Sequence, residues 1–165
     1  MLTVALAVAS LLTAQVAPVA MPDSVVRRPE VAAADIPTAA DHLDSARRAL
    51  NNGEFDVARR EYVIAAALYR DEGKLPIDAS FGLANVLYAS SFNREAAITM
   101  DRLATEASAV GDYNTEARAL LDAIWLNIDA GQRNQARNDA LRLKDLMKEG
   151  KLSEATLKMV RERYR

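Results

Sequence analysis

At 165 residues, half of them apolar and 27% charged, the chain is long enough to bury one continuous core and too apolar to be disordered throughout. Its 21 basic and 23 acidic side chains leave a formal net charge of −2, so no global field draws it onto nucleic acid. It holds no cysteine, which excludes a disulfide framework, thiolate chemistry and cysteine-ligated metal sites.

The first 22 residues carry no ionisable side chain, and Leu2 to Leu12 is apolar apart from Thr3 and Ser10. Such a run has the character of a signal-peptide core, and the small residues Ala14, Ala17 and Ala20 suit an export peptidase. Residues 1–20 are therefore expected to be a signal peptide, and the mature protein to be periplasmic or extracellular. The competing reading is a retained membrane anchor facing the periplasm, since Leu2 to Met21 reaches the roughly 20 residues that span a bilayer. Against it, Gln15 and Pro18 interrupt the run and no Lys or Arg flanks its start. Four of the five prolines follow closely, Pro18, Pro22, Pro29 and Pro37. Each removes a backbone donor and moves its predecessor out of the helical region, so residues 21–37 read as an extended Pro/Ala-rich linker.

Beyond Pro37 the pattern is helical throughout. A first helix opens at Thr38, where Thr38 and Asp41 fit a capping box, and stops at Asn51, Asn52 and Gly53. The second places Phe55, Ala58, Tyr62, Ala65 and Tyr69 on one face and stops at Gly73 and Pro76. The third repeats the spacing with Ile77, Phe81, Ala84 and Tyr88. The fourth, with Asn93 as its expected N-cap, carries Ala96, Met100, Leu103 and Ala107 to Gly111. The fifth runs Ala117, Leu121, Ile124 and Ile128 to Gly131, and the sixth runs Ala136, Ala140, Leu143 and Met147 to Gly150. A last helix opens at Ser153 with Leu157, Val160 and Tyr164 inward and Lys158, Arg161, Glu162, Arg163 and Arg165 outward. Gly82 alone among the six glycines falls inside a helix, which marks a close approach by a neighbouring helix.

The breaks recur. From Gly53 to Ser91 is 38 residues and from Ser91 to Gly131 is 40. Ala58, Ala96 and Ala136 each lie five positions past a break, and Tyr62, Met100 and Ala140 four further on. On these residues the chain resembles the tetratricopeptide-repeat family, with Gly53, Ala58, Tyr62 and Ala65 following that family's pattern best. Leu103 and Ile124 stand where the family favours small residues, and the period exceeds the family's usual length of about 34. The resemblance implies an all-α domain over residues 38–165, a right-handed stack of about three antiparallel helix pairs with a C-terminal capping helix. It also implies a concave groove lined by the first helix of each pair. That register falls on Leu43, Arg47, Leu50 and Asn51, then Asp78, Phe81, Asn85 and Tyr88, then Arg118, Leu121, Trp125, Ile128 and Asp129. Within it Phe81, Tyr88 and Trp125 are candidate apolar anchors, while Arg47, Asn51, Asn85 and Arg118 are candidate hydrogen-bond donors to a peptide. The basic clamp that some family members place on a terminal carboxylate is not matched.

No constellation of side chains with a catalytic pattern stands out. His42, the sole histidine, sits in the first helix beside Asp41 and Asp44, and a helical surface accounts for the triplet. No phosphate loop, paired metal-spaced histidines, nucleophile elbow or dinucleotide glycine pattern is present. The expected function is a non-catalytic protein-protein interaction module of the cell envelope, without cofactor or metal, holding a protein or peptide partner. The alternative is a membrane-tethered accessory subunit of a larger envelope complex, with residues 1–21 kept as the anchor.

Overall fold

A computed structural model describes residues 36–163. The expected signal peptide or anchor, nearly all of the linker, Tyr164 and Arg165 lie outside these residues. Among the described residues there are seven α-helices: α1 (Ala39–Asn51), α2 (Phe55–Asp71), α3 (Ile77–Ala89), α4 (Asn93–Ala109), α5 (Tyr113–Asp129), α6 (Arg133–Lys148) and α7 (Glu154–Arg163). None of them is long and apolar enough to cross a membrane.

Local chemistry explains where the helices start and stop. At the head of α1, the Asp41 amide donates to Thr38 Oγ1 at 3.3 Å and the Thr38 amide donates to Asp41 Oδ2 at 2.8 Å. Two orphan donors are thereby satisfied, and Asp41 is held below the usual carboxylate range by its bonds from Thr38. At its tail, the Gly53 amide donates to the Leu50 carbonyl at 3.0 Å and the Glu54 amide to the Ala49 carbonyl at 2.9 Å. This double bond pattern needs a left-handed residue between the helices, which glycine adopts without strain. The same device ends α3 at Ser91, whose φ of 65° is the only positive value at a non-glycine residue among the described ones. The Ser91 and Phe92 amides close the turn on the Tyr88 and Leu87 carbonyls at 2.9 and 2.8 Å. Because Phe92 already belongs to that turn, it is the N-cap of α4; Asn93, expected as the cap, is the first helical residue and makes no side-chain cap bond.

Each helix from α1 to α6 packs on the next, except that α7 packs on α5 rather than closely on α6. In addition α1 meets α3 and α3 meets α5. The crossing alanines are closed in, with Ala58 and Ala96 at 0% exposure and Ala136 at 6%. Gly82 shows why small residues are needed: a Cβ there would fall onto the ring of Tyr62 on α2. Two apolar clusters result. One, on α1, α2 and α3, is mostly alanine around Tyr62 and Leu43; the other, from α3 to α7, buries Met100, Leu103, Leu120, Leu121 and Leu143. Full burial of one such side chain contributes about 1.5–3 kcal/mol. His42 does not sit with its acidic neighbours but reaches across to α2, with Nδ1 at 2.7 Å from Glu61 Oε2.

A polar wedge is buried where α4, α5 and α6 meet. Asn127 donates through Nδ2 to Asp139 Oδ2 at 2.9 Å, and Gln135 donates to Asp139 Oδ1 at 3.0 Å. Burial, and then the neighbouring charge of Asp101, push the Asp139 carboxyl up to about 6. Beside it Arg142 Nε donates to Glu116 Oε1 at 2.7 Å, where the Glu116 side chain is only 2% exposed.

Candidate functional site

The face of α3 repeats at positions 81, 85 and 88, and that of α5 at 122, 125 and 129, spacings that stack side chains along one side of a helix. Because α3 and α5 lie against each other and α5 against α7, these two stripes and the end of α7 enclose a cleft. It has a volume of about 550 Å³ and is lined by Phe81, Ala84, Asn85 and Tyr88 of α3, Asp122, Trp125, Leu126 and Asp129 of α5, and Arg163 of α7.

Its apolar surface is open to solvent. Trp125 is 58% exposed and Tyr88 50%, and Ile128, one turn from Trp125, is 49% exposed. Phe81 is half-buried, with one side packed on the larger core cluster and the other facing the cleft. Its charged side chains and the Tyr88 phenol are already partnered, while the Asn85 amide makes no side-chain hydrogen bond. Tyr88 Oη donates to Asp129 Oδ2 at 3.0 Å, and this bond holds the phenol above its ordinary range. Arg163 Nη1 donates to Asp122 Oδ1 at 2.9 Å. Burial raises the Asp122 carboxyl, and Arg163 only partly opposes that rise.

Of the seven residues expected to bind a partner, Phe81, Asn85, Tyr88 and Trp125 are gathered in this cleft. Arg118 stands at its edge, its guanidinium 5.0 Å from the centroid of the Phe81 ring, a stacking geometry that uses the cation locally. Arg47 is further along the same side, donating to Asp78 at 2.8 Å and Asp44 at 3.3 Å and so tying α1 to α3. Asn51, the exposed last residue of α1, does not line the cleft. Leu43 and Leu121, which the repeat register assigned to the groove, are 6% and 1% exposed and belong to the core. They point between helices because α1 and α5 are each covered on more than one side.

Four lining residues fell outside the predicted register: the apolar Ala84 and Leu126, and the charged Asp122 and Arg163. Asp122 is three residues before Trp125 and shares its helical face, a spacing that signals it. Arg163 carried no such signal, because a helix read as a lid gives no reason to expect its last turn at a cleft between other helices. Among the described residues no group of three or more His, Cys, Asp or Glu side chains could hold a metal ion. The chain matches no protein-family model, no curated protein and no solved structure.

Proposed function

We propose that this chain is a non-catalytic protein-protein interaction module of the cell envelope, and that its cleft on α3, α5 and α7 receives a peptide or a partner's helix. In this reading the seven helices form a right-handed tetratricopeptide-like stack of three antiparallel pairs closed by α7. The packing supports it: odd-numbered helices touch one another along the chain and even-numbered ones do so at most weakly, the asymmetry of a curved stack with its odd helices inside. Residues 1–20 direct export and are removed, leaving the protein periplasmic or extracellular.

The observation that carries the proposal is the pairing of exposed Trp125 and Tyr88 across a cleft whose charges are already partnered. A surface of that kind gains its binding energy from aromatic and apolar contact, and its orientation from one free amide, Asn85. The partner therefore presents an apolar anchor side chain and a backbone or side-chain group for Asn85.

The test begins with capture of partners from envelope extract and their identification. Asn85→Ala and Tyr88→Ala are then compared with the parent for melting and for binding to the captured partner. Both variants should melt within about 1 kcal/mol of the parent, since exposed positions contribute little, and both should bind more weakly. Undiminished binding in both, with loss only after changes on the even-helix face, would favour the accessory-subunit reading with residues 1–21 retained. The mature N-terminus decides export separately: a start between Gln15 and Pro22 supports cleavage, and full-length chain that resists salt or alkaline extraction from membranes refutes it.

A further inference from the structure

A second surface lies at the other side of α7. In the earlier parts of the chain the corresponding helices, α2 with α3 and α4 with α5, pack closely, but α6 and α7 do not. Between them is a trough of about 690 Å³. Its floor is apolar, made by Ala140, Leu143 and Met147 of α6, with Leu141 at its edge 51% exposed. Its rim is cationic: Arg137 and Lys144 of α6 and Arg161 of α7 line it, and no acidic residue does.

Those three cations differ from the ones in the cleft. All are exposed, and none has an ion-pair partner among the described residues. The helices α4 and α6 start at Asn93 and Arg133, so Ala97 and Ala104 of α4 correspond to Arg137 and Lys144 of α6. Both alanines are at 0% exposure, closed in by neighbouring helices. At the same places α6 carries long cationic side chains beside an uncovered apolar floor. Stems of Arg and Lys can lie along that floor while their charged ends meet a ligand's anions.

We infer that this trough docks an amphipathic helix of a partner protein, with an apolar stripe against Leu141 and Met147 and acidic flanks against Arg137, Lys144 and Arg161. The shape favours a helix over an anionic lipid surface, because the accessible apolar strip of Ala140, Leu141 and Met147 lies in a trough between α6 and α7 and not on a flat patch. Charge complementarity selects acidic over basic helices. This inference does not rest on the cleft reading, and the two sites are separable by experiment.

The probe is a labelled peptide of about 18 residues, or about five helical turns, with leucines at helical spacing and glutamates on the remaining faces. Its control has lysines in place of the glutamates, and both are titrated into the full chain by fluorescence anisotropy. The glutamate peptide should bind saturably and the lysine peptide should not. Arg137→Glu combined with Lys144→Glu should weaken binding by about tenfold or more, as reversal of rim charges does. Leu141→Ser, which leaves every charge in place, should weaken it as well, and melting curves confirm that both variants fold. Trp125, the sole tryptophan, lies in the other cleft and reports independently; its emission should stay unchanged as the peptide binds. Equal binding of the two peptides, full binding by both variants, or a shift of Trp125 emission would overturn the inference. So would binding to phosphatidylglycerol vesicles with none to the glutamate peptide.

Discussion

The cleft on α3, α5 and α7 and the polar wedge between α4, α5 and α6 are made from the same kinds of side chain, acids and arginines or amides bridging neighbouring helices. In the cleft the bridges lie at the solvent edge, as with Arg163 and Asp122, whose side chains are 58% and 35% exposed. In the wedge they are enclosed, as with Glu116 at 2%. Exposure changes what a bridge does. At the edge water still reaches both partners, Arg163 more than Asp122, so the pair mainly fixes side-chain direction and contributes little to stability. Inside, the Glu116 carboxylate has lost its water and depends on Arg142, whose side chain still reaches solvent at 39% exposure, so the pair ties neighbouring helices together and becomes costly when the arginine is removed. The surface that can afford to change partners is the cleft; the wedge cannot.

The largest effect expected from this contrast is in the wedge. Arg142→Met should destabilise the protein by about 3–5 kcal/mol, because it strands a buried carboxylate. Glu116→Gln added to it should recover most of the loss, and urea melts of the single and double variants measure both. A loss below about 1 kcal/mol in the single variant would place this pair with the surface ones.

Asp139 gives the next effect, and its sign follows from its raised carboxyl. Between the ordinary value of 3.8 and about 6 the folded protein still holds a proton that the unfolded chain has released. Its contribution to stability is therefore complete below that window and lost as pH rises through it. Asp41, held low, acts only below the window, where falling pH removes its contribution. Stability should thus fall between about pH 4 and pH 6, and Asp139→Asn should flatten that slope, while its effect at neutral pH is the relief of the buried charge less the acceptor lost to Asn127 or Gln135, about 1 kcal/mol or less in either direction. Denaturant melts across this range test it; an unchanged slope in the variant would assign the effect to other groups, such as Asp101 and Asp122, which burial also raises.

Ser91 ends α3, the helix that carries half of the cleft, and is held at a φ of 65°. Ser91→Gly relieves that conformation and should raise stability by about 0.5–1 kcal/mol, the left-handed strain less the entropy that glycine loses on folding. A lower melting temperature would show that the serine is not strained there. Smallest is the cleft itself: Tyr88→Phe removes the bond to Asp129 and should change stability by no more than about 0.2–1 kcal/mol. If it cost as much as Arg142→Met, the cleft would be part of the core in energetic terms and the contrast would fail.

What sequence alone determined was the set of helices and most of their ends, because caps, glycine stops and apolar spacing are local chemistry. The Thr38 capping box and the breaks at Gly53 and Gly131 are legible residue by residue. Ser91 was legible only as the gap between two apolar helical runs, since no glycine stands there. Asn93 misled, since a polar residue before a helix looks like a cap while the turn bonds made by Ser91 and Phe92 decide the start. The cleft was half legible: the register implied by the family resemblance put Phe81, Asn85 and Tyr88 on one helix face and Trp125 on another. Tertiary structure alone decided which residues on those faces remain uncovered, setting Trp125 in solvent and Leu121, four residues earlier on the same helix, in the core. It also decided that Arg163 reaches Asp122 and that α7 seats on α5 and leaves α6 uncovered. These outcomes depend on the distance between helices far apart in sequence, and that distance is set by the packed volumes of both partners at once, which no local pattern encodes.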